Sequence, residues 1–353
     1  MYRTFDDILI EPQFSTIKSR KDVSLLSEHN GLSLNLPVIS ANMDTITDAK
    51  MAKEMYRHGA AGCIHRFCTP YESGLMFDNS ARNTIGSFGL GKEEQERVAY
   101  LHDAGCKFFC LDVAHGAQLA VVKQAVWFKQ NYPKSFLIVG NFASESSLGQ
   151  FLNHMYINDK KCKIDAVKVG VGPGSACTTR LKTGVGVPQL DAILNICREV
   201  SALNIAVIAD GGMRTPGDIA KALAAGADFV MLGGMLSGTD ETPGRVIYKY
   251  KWDEKLNDGR GGEVKEPQYK IYRGSASKES YHDQGKDWDC AEGESFTVPV
   301  KGPVSDVLKE IEGGLRSSLT YVGARNLAEF RSLARFVNVS SNSVIENRAH
   351  GRI

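Results

Sequence analysis

The sequence predicts an α/β protein whose strands close into a (β/α)8 barrel. Apolar, β-rich runs alternate along the chain with segments of helical pattern, and eight parallel strands are the number that closes such a barrel. The eight runs are residues 37–43, 61–65, 84–88, 108–113, 136–140, 164–171, 205–209 and 229–232, with helical patterns such as 48–58 and 217–225 between them. A doubly wound open sheet is the weaker alternative, because no G-x-G-x-x-G motif follows the first strand.

Polar residues and glycines follow most of these runs. They are Asn42 to Asp44, His65 and Arg66, Asp112 to Gly116, Gly140 and Asn141, Asp210 to Gly212, and Gly233 and Gly234. Because the carboxyl ends of all barrel strands meet on one face, we expect these groups to form one site. His115, in the third group, is interpreted as a packed loop histidine with no assigned role.

The turn after the sixth run, GVGPGSACTTR at residues 170–180, is the most informative part of the chain. Its glycines let the backbone turn sharply, so Cys177 is predicted just past the end of a strand. Thr179 offers a partner for proton transfer, and Arg180 offers a positive charge that favours a thiolate. The sequence therefore predicts a nucleophile here. A small buried cysteine is the alternative, and it fits less well because a polar, glycine-lined loop is a poor core.

The last two strand ends carry a pattern suited to phosphate binding. Asp210, Gly211 and Gly212 follow the seventh run, and Gly233 and Gly234 follow the eighth. Small residues let backbone N–H groups approach an anion, and barrel enzymes often bind phosphate at this position. The Asp210 carboxylate can accept hydrogen bonds from both hydroxyls of a ribose. A tight strand-to-helix turn without a ligand is the alternative for each glycine pair.

Two helix predictions rest on local signals. The helix after the seventh run is expected to begin at Thr215, whose hydroxyl can cap it, with Pro216 in its first turn. The apolar periodicity of residues 307–322, which include Gly313 and Gly314, predicts a helix that packs back on the barrel.

Composition limits the classes of function. With 353 residues, 42% of them hydrophobic, and a net charge of +1, the chain can bury a large core as one domain over residues 1–353, and it has no bulk charge that favours nucleic acid or a membrane surface. The amino terminus MYRTFDDILIEPQ lacks the pattern of a signal peptide, and no long apolar run occurs. The eight cysteines form no CxxC pairs, which favours reduced thiols over disulfides or a metal site. These features predict a cytoplasmic protein.

Residues 237–300, named the flap segment below, differ in composition and pattern from the rest of the chain. They are polar, rich in glycine and charge, and they interrupt the alternation of strands and helices. Such a segment is typical of a mobile active-site flap. Glu292 is selected there as a carboxylate that could exchange a proton with Thr179. A solvated charge run is the alternative, and from the residues alone it is the better one.

Four stretches together resemble the family of IMP dehydrogenases and GMP reductases. They are GPGSACTTRLKTGVGVPQ, ANMDT, DGGMRTPGDIAKALAAGADFVMLGGML and GGLRSSLTYVGA, and the match runs from Asp6 to about Val339. The resemblance implies a (β/α)8 barrel that commonly forms homotetramers. It also implies that the loop cysteine attacks the purine C2 to form a covalent thioimidate while a nicotinamide exchanges hydride with that carbon. Cys177 stands at the matching position.

Within this family the chain looks more like the reductase branch, which converts GMP to IMP and ammonia with NADPH. Dehydrogenases typically insert CBS modules between the second and third barrel strands, whereas only about twenty residues separate Ile64 from Thr84. Their flap also carries an Arg-Tyr pair that activates water, and no arginine in residues 238–300 is followed by tyrosine. A dehydrogenase that lacks CBS modules, converting IMP to XMP with NAD, is the alternative.

The resemblance implies roles for individual residues. Cys177 is the nucleophile, and Thr179 with Glu292 moves the proton that helps ammonia leave. The residues implied at the purine nucleotide are Asp210, Gly211, Gly212, Gly233, Gly234, Gly274, Ser275 and Gly293. Those implied at NADPH are Ser19, Arg20, Arg66, Asp112, Val113, Ala114, Val171 and Gly172. A potassium ion is implied at the carbonyls of Gly172, Gly174 and Cys177, beside Arg180.

Three positions depart from the reductase pattern. Trp288 and Asp289 stand where reductases typically have a Tyr-Arg pair, and Ser275 stands where they have methionine. A carboxylate close to a nucleotide phosphate is unfavourable. A deoxy or modified guanine nucleotide is therefore an alternative substrate, and Arg273 is a candidate to supply the missing charge. A catalytically idle purine-binding barrel and a flavin-dependent barrel are the hypotheses from outside this class.

Overall fold

The computed structural model describes residues 2–155, 162–253, 262–285, 287, 290–340 and 343–347. Within them the strands in chain order are β1 (Ile8–Ile10), β2 (Ser27–His29), β3 (Leu32–Leu34), β4 (Val38–Ser40), β5 (Ala61–Ile64), β6 (Ile85–Phe88), β7 (Phe108–Asp112), β8 (Phe136–Phe142), β9 (Ala166–Val169), β10 (Ala206–Asp210), β11 (Phe229–Leu232), β12 (Ile247–Asp253), β13 (Gly262–Arg273), β14 (Ser295–Pro299) and β15 (Phe336–Asn338).

The helices lie mostly between the strands. They are α1 (Ala49–Arg57), α2 (Pro70–Asp78), α3 (Lys92–Asp103), α4 (Leu119–Asn131), α5 (Glu145–His154), α6 (Thr179–Thr183), α7 (Gln189–Val200), α8 (Pro216–Ala224), α9 (Lys278–Asp283), α10 (Val304–Val322), α11 (Leu327–Leu333) and α12 (Ser343–Glu346), with 3-10 turns at Phe5–Asp7 and Arg20–Asp22. Among the helices so described, none is both long enough and apolar enough to cross a membrane.

Strands β4 to β11 pair in parallel in chain order, and β11 pairs with β4 to close the barrel. Each of the eight predicted runs overlaps one of these strands, although β8 and β10 extend past the predicted ends to Phe142 and Asp210. The prediction of a (β/α)8 barrel, the TIM-barrel fold, is confirmed. Every residue of β5, β6, β9 and β11 is buried, because a parallel strand in this fold is covered on both faces. Between β5 and β6 the chain forms only α2 and its loops, with no inserted domain.

The strand before the cysteine turn is shorter than predicted. It ends at Val169, because Gly170 adopts φ of 147° and turns the chain out of the sheet. A side chain at this position would bring its Cβ to 2.1 Å from the carbonyl oxygen of Asp210, so only glycine fits. The turn that carries Cys177 therefore begins at the barrel rim.

The helix signals correspond to the observed caps. The Thr215 hydroxyl accepts a hydrogen bond from the Asp218 amide, and Pro216 is the first residue of α8, as predicted. The helix predicted at residues 307–322 is α10. It begins at Val304, three residues earlier than the sequence suggested, and packs on α8. The starts of α8 and α10 determine where the preceding loops end, at the carboxyl-terminal rim of the barrel.

The flap segment contains a sheet of its own. Strands β12, β13 and β14 pair antiparallel, and the segment returns to the barrel at α10. Lys270 anchors the middle strand, since its buried Nζ donates to the carbonyls of Thr239 at 2.8 Å and Thr242 at 2.9 Å. The interruption of the strand–helix alternation thus contains a three-stranded sheet, and the mobility of the segment stays a prediction.

Two adjacent glycines of α10 allow a matched test of helix packing. The Cβ of an alanine at 314 would lie 2.6 Å from the Cβ of Pro216, whereas, apart from the adjacent backbone of α10 itself, no atom of the described residues lies within 4 Å of a Cβ at 313. We expect Gly314→Ala to lower the free energy of unfolding by about 1–3 kcal/mol through overpacking. We expect Gly313→Ala to raise it by about 0.5–1 kcal/mol, since alanine favours the helix. Urea unfolding measures both, and a stabilising Gly314→Ala would contradict the packing described.

Candidate active site

Cys177 lies on the turn that follows β9, at the carboxyl-terminal face of the barrel. Its amide donates to the carbonyl of Gly174 at 3.0 Å, which closes the turn. Gly172 has φ of 81°, and a Cβ there would lie 2.5 Å from the side chain of Arg180. The thiol is partly exposed, as a nucleophile must be.

Arg180 holds this turn in shape. Its Nε donates to the carbonyl of Val171 at 3.0 Å and its Nη2 to that of Val187 at 2.5 Å. Burial lowers the pKa of the guanidinium, and the charge of Cys177 opposes that shift. Arg180, which the sequence analysis selected as a positive charge near the thiol, therefore also stabilises the conformation of the turn.

A chain of hydrogen bonds joins the thiol to a carboxylate from the flap segment. The Cys177 thiol donates to Thr179 Oγ1 at 3.2 Å, and that hydroxyl donates to Glu292 Oε2 at 2.7 Å. The backbone holds the two segments together, because the Thr178 amide donates to the carbonyl of Glu292 at 2.8 Å. The structure thus brings together Cys177, Thr179 and Glu292, which the sequence analysis selected.

Glycines make this backbone contact possible. A Cβ at Gly274 would lie 2.7 Å from the carbonyl oxygen of Ala176 and 3.2 Å from the Cα of Gly293. Gly293 pairs with Cys177 in an isolated bridge. Gly274 and Gly293 therefore pack against the backbone of the cysteine turn. Ser275 lies beside them, directly after Gly274 in the chain.

The glycine pairs of the last two barrel strands line a cavity of about 580 Å³. Its lining includes Asp210, Gly211, Gly212, Gly233 and Gly234, as the phosphate prediction requires. Gly211 and Gly212 both have positive φ, near 80°, which side chains would strain. The cavity has the small, backbone-rich wall on which an anion can approach N–H groups.

Two hydroxyl groups of this wall were missed by the sequence analysis. Ser175 Oγ and Tyr272 OH lie 3.3 Å apart. The Cβ of an alanine at Gly234 would lie 2.8 Å from the same Ser175 oxygen and 3.7 Å from the Tyr272 hydroxyl. Burial raises the pKa of Tyr272, so it stays a neutral donor. The anion cradle therefore consists of Gly211, Gly212, Gly233, Gly234, Ser175 and Tyr272. Ser175 could have been found from its place in the cysteine turn, whereas Tyr272 carried no signal of its own.

The expectation that Arg273 restores a missing charge at the phosphate is wrong. Its guanidinium pairs with Asp44 and, at 2.7 Å, with Asp283, so both carboxylates neutralise it. The cationic residues that line the cavity are Arg180, Arg214 and Lys301. The Lys301 Nζ donates to the carbonyl of Gly234 at 3.3 Å. Trp288 and Asp289, two of the three positions that depart from the reductase pattern, lie outside the described residues.

The predicted dinucleotide residues fall into two groups. Asp112, Val113, Ala114, Arg66, Val171 and Gly172 lie at the ends of barrel strands or in the loops that follow them. The Arg66 guanidinium is 3.8 Å from the Asp112 carboxylate, and its buried Nε makes no hydrogen bond within the described part of the chain. Ser19 and Arg20 instead lie in a 3-10 turn against α10, where the Arg20 carbonyl accepts a 3.4 Å hydrogen bond from Arg316. The structure does not bring these two to the cysteine.

His115 is exposed, so its interpretation as a packed histidine is wrong. The neighbouring Gly116 is the residue that packs, since a Cβ there would lie 2.9 Å from the ring of Phe142. The tight approach of Gly116 leaves His115 directed outward.

The cysteine turn offers oxygen atoms of the kind that bind a monovalent cation. The carbonyl of Gly174 already accepts the Cys177 amide at 3.0 Å, and a carbonyl oxygen has a second lone pair. Thr178 is 6% exposed, and among the described residues its hydroxyl makes no hydrogen bond. The donor set fits a hard cation. The potassium site at Gly172, Gly174 and Cys177 stays a prediction.

The geometry of the anion cradle predicts that adding one methyl group to its wall weakens nucleotide binding. We expect Gly234→Ala to raise the KM for a nucleotide phosphate at least about 10-fold, which corresponds to about 1.4 kcal/mol, because the methyl group displaces Ser175 from the cradle. The melting temperature should change little, since only the end of a small side chain must move. Initial-rate kinetics with Gly313→Ala as a control measure this, and an unchanged KM would contradict the assignment.

Comparison with known proteins relates this site to a family. Residues 2–350 match a family model described as IMP dehydrogenase / GMP reductase domain. A protein named GMP reductase from Phytophthora infestans is 37% identical, with 95% of this chain and 90% of that protein covered. One of the same name from Klebsiella pneumoniae is 35% identical, with 98% and 96% covered.

Two solved structures share the fold over nearly the full length. A GMP reductase from Trypanosoma brucei in complex with guanosine 5′-monophosphate superposes with a TM-score of 0.88 at 26% identity, covering 100% of this chain and 98% of that one. An inosine 5′-monophosphate dehydrogenase from Legionella pneumophila gives a TM-score of 0.80 at 39% identity, covering 97% and 99%.

Proposed function

Because the chain belongs to the family of IMP dehydrogenases and GMP reductases, we propose that it catalyses the NADPH-dependent reductive deamination of GMP to IMP and ammonia. The relatives from Phytophthora infestans and Klebsiella pneumoniae, at 37% and 35% identity, are both named GMP reductase. The observation that carries the proposal is the chain of hydrogen bonds from Cys177 through Thr179 to Glu292, located beside an anion cradle.

The proposed reaction has two chemical stages. The Cys177 thiolate adds to the purine C2, the C2–N bond of the amino group breaks, and ammonia leaves with a proton, which yields a thioimidate. A bound NADPH would supply the hydride that C2 accepts, and breakage of the Sγ–C2 bond would then release IMP and the thiolate. Splitting the displacement in this way replaces one difficult step with two easier ones.

Thr179 and Glu292 are suited to the first stage. An amino group is a poor leaving group until it is protonated, so a proton donor must act near C2. The Thr179 hydroxyl lies between the thiol and the Glu292 carboxylate, at 3.2 Å and 2.7 Å, and can pass a proton from one to the other.

The rest of the nucleotide is proposed to lie along the cavity. The phosphate would be bound by the backbone N–H groups at Gly211, Gly212, Gly233 and Gly234 together with the two hydroxyls of the cradle, and Lys301 would offset its charge. Asp210 lines the same cavity, and its carboxylate is proposed to accept hydrogen bonds from a ribose. Gly274, Ser275 and Gly293 would close the site from the flap segment.

The dinucleotide is proposed to lie along Asp112, Val113, Ala114, Val171 and Gly172, with Arg66 nearby. Ser19 and Arg20 could contribute only from another copy of the chain, which agrees with the prediction of a homotetramer. The tetramer, the cytoplasmic location and the potassium ion remain predictions of the same proposal.

A dehydrogenase that converts IMP to XMP with NAD is the second candidate. The similarity to the Legionella pneumophila dehydrogenase, at 39% identity, favours it. The flap segment opposes it, because its three arginines, Arg245, Arg260 and Arg273, are followed by Val246, Gly261 and Gly274. The Arg-Tyr pair that the dehydrogenase branch uses to activate water is absent from this sequence.

Anaerobic incubation with GMP and NADPH tests the proposal directly. Loss of NADPH with an equal yield of ammonia supports the reductase. NADH formation from IMP and NAD, with no turnover of GMP, would reject it in favour of the dehydrogenase. Parallel reactions with deoxy-GMP determine whether the ribose 2′-hydroxyl is required.

A further inference from the structure

Lys168 connects the two halves of the site through the barrel interior. It lies on β9, its side chain is 4% exposed, and its Nζ is 3.0 Å from Asp112 Oδ1 and 2.8 Å from Asp210 Oδ2. Asp112 ends β7 and Asp210 ends β10, so the ammonium reaches a carboxylate on either side. Gly140 on β8 makes room for it, since a Cβ at 140 would lie 2.5 Å from the Lys168 Cβ.

Lys168 and Asp112 are both held in their charged forms. Burial by itself lowers the pKa of Lys168, but the carboxylates of Asp210 and Asp112 outweigh it and raise that pKa well above its ordinary value. Burial raises the pKa of Asp112, and the charges of Lys168 and Arg66 outweigh that effect, so the carboxyl has a lowered pKa. A buried ion pair of this kind fixes geometry more than it adds stability.

The contacts orient the Asp210 carboxylate. Lys168 and the Asn141 amide, at 2.8 Å and 2.9 Å, both donate to Oδ2, so Oδ1 is the oxygen left for a ligand. On the other side, Asp112 Oδ1 bonds to Lys168 and Oδ2 lies 3.8 Å from Arg66. A change in either carboxylate therefore acts on the other through one shared cation.

We propose that Lys168 is a positioning residue that couples the nucleotide site at Asp210 to the dinucleotide site at Asp112. The identity of the two ligands rests on the proposed function, whereas the coupling rests on the two ion pairs. A ligand whose hydroxyls bind one carboxylate holds that carboxylate and Lys168 in place. The second ligand then meets a carboxylate that is already fixed, so each ligand tightens the binding of the other by the same factor.

Binding of GMP and NADP⁺, a pair that does not react, tests the coupling by titration calorimetry. For the unmodified protein we expect saturating NADP⁺ to tighten GMP binding several-fold, and GMP to tighten NADP⁺ binding equally. Lys168→Met should weaken both ligands about 10-fold or more and bring the coupling factor to one. Lys168→Arg should retain part of it, because a cation remains between the carboxylates.

Lys129→Met is the matched control. Lys129 is also mostly buried and pairs with Asp165, which precedes β9 at the opposite end of the barrel from the cavity. Lys129→Met should lower the free energy of unfolding without changing the coupling factor between the two ligands. If Lys129→Met changes the coupling as Lys168→Met does, or if Lys168→Met leaves the coupling factor at its original value, the proposal is wrong.

Asp112→Asn gives a second test that does not require Lys168→Met to fold. We expect it to weaken GMP binding even though Asp112 is not in the nucleotide cavity, and an unchanged GMP affinity would overturn the proposal. If GMP is not turned over at all, the proposed function fails separately, and the coupling is then measured with IMP and NADH, a pair that does not react in a dehydrogenase.

Discussion

Cys177→Ala is expected to reduce turnover of GMP with NADPH by about 10⁴-fold or more while leaving GMP affinity within a few-fold of its original value. The substitution removes the only atom that can form the covalent bond to C2 in the proposed reaction. The rest of the cavity is untouched, because the anion cradle is built from other residues. Steady-state kinetics and titration calorimetry measure the two effects separately.

Cys290→Ala is the control for this result. Cys290 is exposed and lies in the same flap segment as Glu292, so it tests the loss of a thiol that is not part of the hydrogen-bonded chain. It should retain nearly full activity. Substantial turnover by Cys177→Ala would rule out the covalent mechanism, and mass spectrometry of the enzyme quenched during turnover would then find no adduct at this residue.

Glu292→Gln is expected to lower the rate of GMP deamination by about 10²–10⁴-fold, the range that general acid–base groups supply. The amide can still hydrogen bond to Thr179, but it cannot exchange the proton that ammonia needs in order to leave. The stage that exchanges hydride does not need this proton. We therefore expect NADPH formation from IMP and NADP⁺, measured as a burst in rapid mixing, to be reduced far less than deamination.

Two further variants define the Glu292 effect. Thr179→Val should reproduce it, because the valine breaks the 2.7 Å hydrogen bond that links the relay. Glu294→Gln should have little effect, since Glu294 is exposed and takes part in the backbone pairing through its main chain. Equal losses in deamination and in the hydride stage would show that Glu292 maintains the structure and does not act on the proton.

The barrel and the turn that carries Cys177 could be predicted from the sequence because their signals are local. A run of apolar residues identifies a buried strand whatever the path of the chain, and each of the eight runs overlaps a barrel strand. Gly170, Gly172 and Gly174 mark the turn that presents Cys177, and the caps at Thr215 and Pro216 mark the start of α8. Glu292 was different, because its own surroundings favoured a solvated charge run, and only the family resemblance pointed to the site.

Only the tertiary structure decided which distant side chains meet. Cys177 and Glu292, Ser175 and Tyr272, and Lys168 with its two carboxylates are each joined across barrel strands or across the flap segment. Arg273 pairs with Asp44 and not with the cavity for the same reason. Strand periodicity specifies that the strand ends converge on one face, but the path of each loop and the packing of its side chains determine which groups lie within hydrogen-bonding distance.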